Sequence, residues 1–81
     1  MIYPKADVVI LDSTSLAWLR YFPARNLLEV CFSGGETYRF FEVPASRYQE
    51  LLAAPSKGGY FNRNLRNRFR HKRLPELSGI K

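Results

Sequence analysis

Apolar side chains recur at every second position along two neighbouring stretches in the first half of the chain. They do so between Leu27 and Phe32, and again between Thr37 and Val43, where Tyr38 and Phe40 share one side. A period of two is typical of strands with one buried face. The linker 33–36 contains two adjacent glycines, which supply the positive φ of a tight turn, so the two strands are predicted to form a hairpin.

Two further stretches precede this hairpin. Leu16–Phe22 is rich in large apolar and aromatic residues and is broken by Pro23, so it is predicted to be another strand. Short connections favour antiparallel neighbours, because parallel pairing needs a long crossover. The apolar run Val8–Leu11 leaves two readings open, a short strand or a segment that packs on a partner.

The pattern changes to a helical one in the second half of the chain. Pro44 begins a helix that Pro55 ends, and apolar residues three and four positions apart mark its buried side. Ser56 is a typical N-cap residue for a second helix, predicted over about Lys57–Asn67. If that helix continued, Arg68 would lie on its apolar side, so we expect the helix to bend or end around Asn67.

These elements predict an α+β fold, a three-stranded antiparallel meander followed by two helices packed on one face. We expect residues 1–12 to be an N-terminal lead, 13–70 the domain and 71–81 a basic C-terminal tail. With 81 residues the chain forms one domain, and a domain of this size buries about 60% of its unfolded surface. The core is expected from eight residues on the apolar sides of the elements: Leu28, Val30, Phe32, Phe40, Leu51, Leu52, Phe61 and Leu65.

The charge of the chain is concentrated in one window. Lys57 to Arg73 holds seven Lys or Arg residues and no Asp or Glu, while the formal net charge of the whole chain is +6. A segment of one sign needs solvent or a polyanion beside it. Arginine suits phosphate because its planar guanidinium binds two oxygens at once and stays charged.

The first hypothesis is therefore an RNA-binding module that contacts phosphates through a basic C-terminal helix. On that helix, Arg63, Arg66 and Arg70 are predicted to form an outward stripe opposite Phe61. Third-strand residues extend the candidate surface, with Arg39 on the strand face opposite Tyr38. The full set of predicted nucleic-acid-binding residues is Lys57, Arg63, Arg66, Arg70, Lys72, Arg73, Arg39 and Tyr38.

Two other interpretations stay open. The basic window is also what a solvated face looks like, and alternating aromatics such as Tyr38 and Phe40 are also what a half-buried strand shows. The second function hypothesis is a protein-interaction module whose basic helix meets an acidic surface. Trp18, Phe41 and the Val8–Leu11 run would then form an apolar contact.

Catalytic and metal-binding signals are weak. The single His71 and the single Cys31 would form a reactive pair only if the fold brought them together, and they cannot complete a tetrahedral zinc site without two carboxylates. Ser56-Lys57-Gly58-Gly59 lacks the preceding strand that a phosphate-binding loop requires. We expect no catalytic residue, no metal and no cofactor.

No targeting segment is expected from the sequence. Its longest apolar run has four residues, far fewer than the roughly 20 needed to span a bilayer, and the first residues do not resemble a signal peptide. A single cysteine excludes an internal disulfide framework and is compatible with a reducing compartment. A cytoplasmic protein that does not enter the membrane is expected.

The order of motifs closely resembles the KTSC domain, a small domain named after the C-terminus of some lysyl-tRNA synthetases and also found as free-standing bacterial and phage proteins. Two features depart from the family pattern, Phe40 in place of the second tyrosine of Tyr-x-Tyr and the large Trp18. The resemblance implies a compact binding module, suggests RNA as its partner, and transfers no catalytic residue. It rests on Ser13-Thr14-Ser15-Leu16, Tyr21, Leu28-Glu29-Val30-Cys31-Phe32, Gly35, Tyr38-Arg39-Phe40, Val43-Pro44, Tyr48, Ser56-Lys57-Gly58-Gly59-Tyr60-Phe61-Asn62 and Leu65-Arg66.

Overall fold

A computed structural model describes residues 8–75 of the chain. The described part contains five strands and two helices, with both helices between the fourth and the fifth strand. No helix among these residues is long and apolar enough to cross a membrane. In chain order the elements are β1 Val8–Ile10, β2 Leu16–Phe22, β3 Leu27–Phe32, β4 Thr37–Phe40, α1 Ala45–Ala53, α2 Lys57–Asn64 and β5 His71–Arg73.

The five strands form one antiparallel sheet in the order β1-β2-β3-β4-β5. The class α+β and the two helices agree with the sequence analysis, but the predicted strand count of three is wrong. The expected lead and the expected basic tail each contribute a three-residue edge strand. The predicted domain boundaries stay a prediction, and residues 1–7 and 76–81 lie outside the described part.

The pattern could not reveal β5 because its sequence is His-Lys-Arg, with no apolar alternation. Backbone hydrogen bonds at both ends hold this strand on the sheet. The amide of Phe41 donates to the carbonyl of Arg70 at 2.9 Å, and the amide of Leu74 donates to the carbonyl of Thr37 at 2.8 Å. Strand β5 is therefore held on the sheet by backbone hydrogen bonds rather than by burial of its side chains.

Both helices pack on the same face of the sheet. The ring of Tyr48 in α1 stacks on Tyr21 of β2 with centroids 4.6 Å apart. The ring of Phe61 in α2 meets Phe32 at 5.4 Å and Phe40 at 5.3 Å, both edge-on. Tyr21 of β2 and Phe40 of β4 are both register partners of Leu28 in β3. Directly paired residues of neighbouring strands point to the same side of a sheet, so both rings lie on the face that the helices cover.

The buried core follows from this layering. Six of the eight predicted core residues belong to it, while Phe32 and Leu52 are partly buried against it. The pattern missed the contributions of β2, whose large residues could not be sorted into faces, and of Val43 after β4. Tyr48 lies on the predicted apolar side of α1 but was not counted among the core residues. The core residues not named in advance are Leu16, Leu19, Tyr21, Val43 and Tyr48.

Helix α2 begins where the sequence predicts it and ends earlier. The side chain of Ser56 caps it by accepting a hydrogen bond from the amide of Gly59 at 3.1 Å. The last helical residue is Asn64, and a turn over 65–68 follows. Arg68 is exposed, so the early end of the helix keeps its guanidinium off the apolar side.

A polar cluster connects the two helices at the surface. The Tyr60 hydroxyl of α2 donates to the Glu50 carboxylate of α1, and Arg47 donates to the same oxygen at 3.0 Å. The hydrogen bond from Tyr60 and the neighbouring Arg47 hold the pKa of the Glu50 carboxyl below its ordinary value of 4.5. Burial and the same hydrogen bond raise the pKa of the Tyr60 hydroxyl.

Substitution Tyr60→Phe is expected to lower the free energy of unfolding slightly at neutral pH, because it removes one hydrogen bond that is exposed to solvent. A lowered carboxyl pKa stabilises the fold above the unfolded-state pKa, and this stabilisation is lost as pH falls through the folded-state pKa. The difference between wild type and variant should therefore shrink below pH 4.5, as measured by urea unfolding across pH.

Tyr38→Phe is the matched control. It removes a hydroxyl that makes no hydrogen bond within residues 8–75 from a tyrosine that is also half-buried. A loss for Tyr60→Phe that is independent of pH between neutrality and acid would contradict the coupling to Glu50.

Candidate nucleic-acid interface

Strand β5 distributes its side chains over both faces of the sheet. Arg73 is paired with Tyr38, and His71 with Phe40, so these two point to the face that the helices cover. Lys72 is paired with Arg39 and points to the opposite face. The last part of the basic window therefore surrounds an exposed sheet edge.

Two buried residues, one in α2 and one just after it, fix which of the neighbouring arginines are exposed. Phe61 and Leu65 are buried, and Arg63 and Arg66 are exposed, as the helical spacing predicts. Arg66 donates to the Asn62 side chain one turn earlier at 3.1 Å. Such an exposed contact leaves the guanidinium free to exchange partners.

The predicted outward stripe of three arginines on one helix is wrong, because only Arg63 lies within α2 and Arg66 lies in the turn that follows it. Arg70 lies beyond the end of α2 and beyond the turn that follows it. Its guanidinium carbon is 4.7 Å from the centroid of the Phe41 ring, a cation–π contact. Because the helix stops at Asn64, the chain carries Arg70 to the edge strand instead.

Five exposed cations follow one another along the turn after α2 and β5, and we term them the cationic edge. Only one of them has an acidic partner within residues 8–75, the pair between Arg73 and Glu36 at 3.6 Å. The other four keep their full charge toward solvent. The cationic edge consists of Arg66, Arg68, Arg70, Lys72 and Arg73.

Lys57 does not join this surface. Its side chain is half-buried and its ammonium donates to the carbonyl of Ala54 at 2.9 Å, at the start of α2. It lines a cleft of about 620 Å³ between that helix start, Ser13–Ser15 and β1. Lys57 therefore contributes to the local structure between the two helices.

Tyr38 lies on the helix-covered side at the margin of the core. Its ring is edge-on to Phe32 at 5.6 Å and to His71 at 5.8 Å. Together with Asn62 and Arg66 it lines a groove of about 240 Å³. It stays a candidate contact there, whereas Phe40 is 2% exposed and belongs to the core.

The opposite face carries an ion-pair network that sequence reasoning missed. Glu29, only 5% exposed, accepts two hydrogen bonds from Arg39, from Nε at 3.1 Å and from Nη2 at 2.8 Å. Arg20 lies on its other side, with Nη1 at 3.7 Å from the carboxylate. The only sequence signal for this network is an acidic residue in the middle of a strand, between apolar neighbours. Its arginine partners could not be named from the sequence, because they depend on the register of the strands.

The strand register also shows that the hypothesis of a reactive pair formed by Cys31 and His71 is wrong. Cys31 is paired with Thr37 and lies on the face opposite the helices, whereas His71 is paired with Phe40 on the covered face. The sheet separates them. Within residues 8–75 there is also no group of three His, Cys, Asp or Glu side chains placed to hold a metal ion.

The family model of the KTSC domain matches residues 12–69 of the chain. The chain belongs to the KTSC domain family. A KTSC domain protein from Yersinia pestis has a similar structure, with a TM-score of 0.80 and 26% identity, covering 85% of this chain and 97% of that one. The resemblance found from the sequence is thereby confirmed, and so is the α+β class.

Relatives of two kinds share this KTSC domain. A protein of Tsukamurella paurometabola is 38% identical over 60 residues, covering 74% of this chain and 90% of the relative. A lysine–tRNA ligase of a Nostoc species is 38% identical over 55 residues, covering 68% of this chain and 10% of the ligase. The domain therefore occurs both as most of a small protein and as a minor part of a synthetase.

Substitution Glu29→Gln is expected to lower the free energy of unfolding by about 1–3 kcal/mol, because charge-assisted hydrogen bonds are lost and two guanidinium groups stay next to a neutral amide. Urea unfolding measures the change. Glu36→Gln is the matched control, since its ion pair with Arg73 is exposed and is expected to contribute less than about 1 kcal/mol. Equal losses for the two variants would contradict the structural role of Glu29.

Proposed function

We propose that this KTSC domain is a non-enzymatic module that binds RNA through phosphate contacts at the cationic edge. The observation that carries the proposal is the electrostatics of that edge. Within residues 8–75, four of its five cations have no acidic partner, and all five are exposed. Unneutralised cations around an exposed edge attract a polyanion and release its counterions on contact.

Membership of the family supports RNA as the polyanion. The name of the Nostoc relative states a tRNA substrate for that enzyme, and the matched stretch is 10% of its length. A small appended domain with a cationic edge fits a role in holding RNA near another site. The free Cys31 suits a reducing compartment, and the proposal extends to a cytoplasmic module.

A second candidate function is protein binding by the sheet face that the helices leave open. The observation that favours it is the exposure of two apolar residues on β1, Val8 at 46% and Ile10 at 75%. Trp18, the register partner of Ile10, lies on the same face. Exposed apolar residues at a sheet edge are typical of contact surfaces.

The proposal predicts salt-dependent binding of RNA. If the five cations of the edge neutralise roughly four or five phosphates, log K falls with a slope of about −3 to −4.5 against log salt. Replacing Arg68 and Lys72 by Gln removes two of the contacts. The slope should then flatten by about 1.4 to 1.8, measured by fluorescence anisotropy with a labelled tRNA over a range of salt concentrations.

The double variant Arg25→Gln, Arg47→Gln is the matched control. It removes the same charge from two exposed positions outside the cationic edge, in the β2–β3 turn and in α1. Its slope should stay close to that of the wild type. Equal flattening in both double variants would mean that net charge alone is sensed, and absence of binding at low salt would remove the RNA proposal.

A further inference from the structure

The open face of the sheet has charges at its centre and apolar groups on both sides. One cross-strand row runs through the paired residues Arg20, Glu29, Arg39 and Lys72 of four adjacent strands. Neighbouring strands are about 4.8 Å apart, so this charged row extends for about 14 Å across the face. It ends at Lys72, which is part of the cationic edge.

Aromatic and aliphatic side chains flank the charged row. On one side lies Trp18, paired with Ile10 and Cys31. On the other side lies Phe41, which follows β4 and is capped by the guanidinium of Arg70. The two rings are thus separated by the charged row.

The charge that this face presents to a ligand is positive. Glu29 is buried and engaged by two arginines, whereas the side chains of Arg20 and Arg39 remain 37% and 38% exposed and Lys72 is exposed. A guanidinium group also lies over each ring, and its planar face can take a stacked base as the ring does. The guanidinium carbon of Arg20 is 5.3 Å from the Trp18 centroid, which matches the contact between Arg70 and Phe41.

We propose that unpaired nucleotides bind on this open face, with bases stacked on Trp18 and Phe41 and phosphates at Arg20, Arg39 and Lys72. The inference rests on the proposed function and specifies its ligand, because Lys72 and Arg70 join the open face to the cationic edge. A single strand can present a base face to each ring and its backbone to the charged row. A duplex keeps its base faces hidden and can use only the edge.

The layout favours nucleic acid over a protein partner. Protein interfaces have an apolar centre that is depleted of charged residues and a polar rim. This face has the reverse arrangement, with cations in the centre and apolar groups at the margins. Interfaces with nucleic acids are more polar and much more positively charged, so charge complementarity supports a nucleic-acid strand.

Trp18 is the only tryptophan of the chain, so its intrinsic fluorescence reports directly on the proposed stacking site. A short oligouridine should quench this fluorescence in a saturable manner. An RNA hairpin whose only unpaired bases are those of a minimal loop should bind with little quenching of the tryptophan fluorescence. Oligothymidine is the third probe, and it distinguishes a preference for RNA from binding of any unpaired strand.

The substitutions Trp18→Leu and Phe41→Leu should each weaken oligouridine binding by about 5- to 150-fold, since stacking on an aromatic ring contributes this much per base. The salt slope should stay unchanged because no cation is removed. Trp18→Phe retains a ring and should restore most of the affinity. Ile10→Ser is the matched control on the same face, and it should leave oligouridine binding unchanged.

The wild-type fluorescence titration needs no substitution, so the inference stays testable if a Trp18 variant does not fold. Equal affinity for hairpin and oligouridine, with no quenching and no effect of Phe41→Leu, would overturn the stacking inference and leave the edge proposal standing. Absence of binding to every probe would overturn both. A different outcome would support a protein-binding surface instead. In that case the wild type would not bind RNA but would self-associate or bind an acidic protein, and Ile10→Ser would abolish that association.

Discussion

The contact of Phe61 with Phe32 and Phe40 determines how the charged half of the molecule is arranged. Phe61 is 1% exposed, and its position holds α2 against one face of the sheet. Arg63 of the helix then points to solvent, and the chain leaves the helix next to β4. From there it can add β5 to the sheet edge, so a buried aromatic contact indirectly places the exposed arginines.

The two faces of the sheet have different roles, one in stability and the other in the proposed ligand binding. The covered face contains the apolar core, and stability comes mainly from burial there. The open face has no second layer within residues 8–75. Its one buried carboxylate, Glu29, holds Arg39 and Arg20, and Arg20 also lies over the ring of Trp18. Because the core is complete without this face, its surface residues are available for a ligand.

Much of the fold was predictable because strands and helices with one buried side have clear periods. The faces of β3, the cap at Ser56 and six of eight core residues follow from spacing alone. Strand β5 was not predictable, since its pairing is made by backbone groups and its sequence is entirely polar. The position of Arg70 was predicted wrongly for a related reason. The residue at which α2 ends depends on tertiary packing rather than on helix propensity.

The division between covered and open faces makes one mapping experiment decisive. Backbone amide chemical shifts can be followed by nuclear magnetic resonance while unlabelled oligouridine is added to the labelled protein at low salt. The account predicts the largest changes at β5, at Arg39 and around Trp18, with α1 unaffected. Changes confined to α1 and the cleft beside Lys57, or absent from the whole sheet, would contradict it.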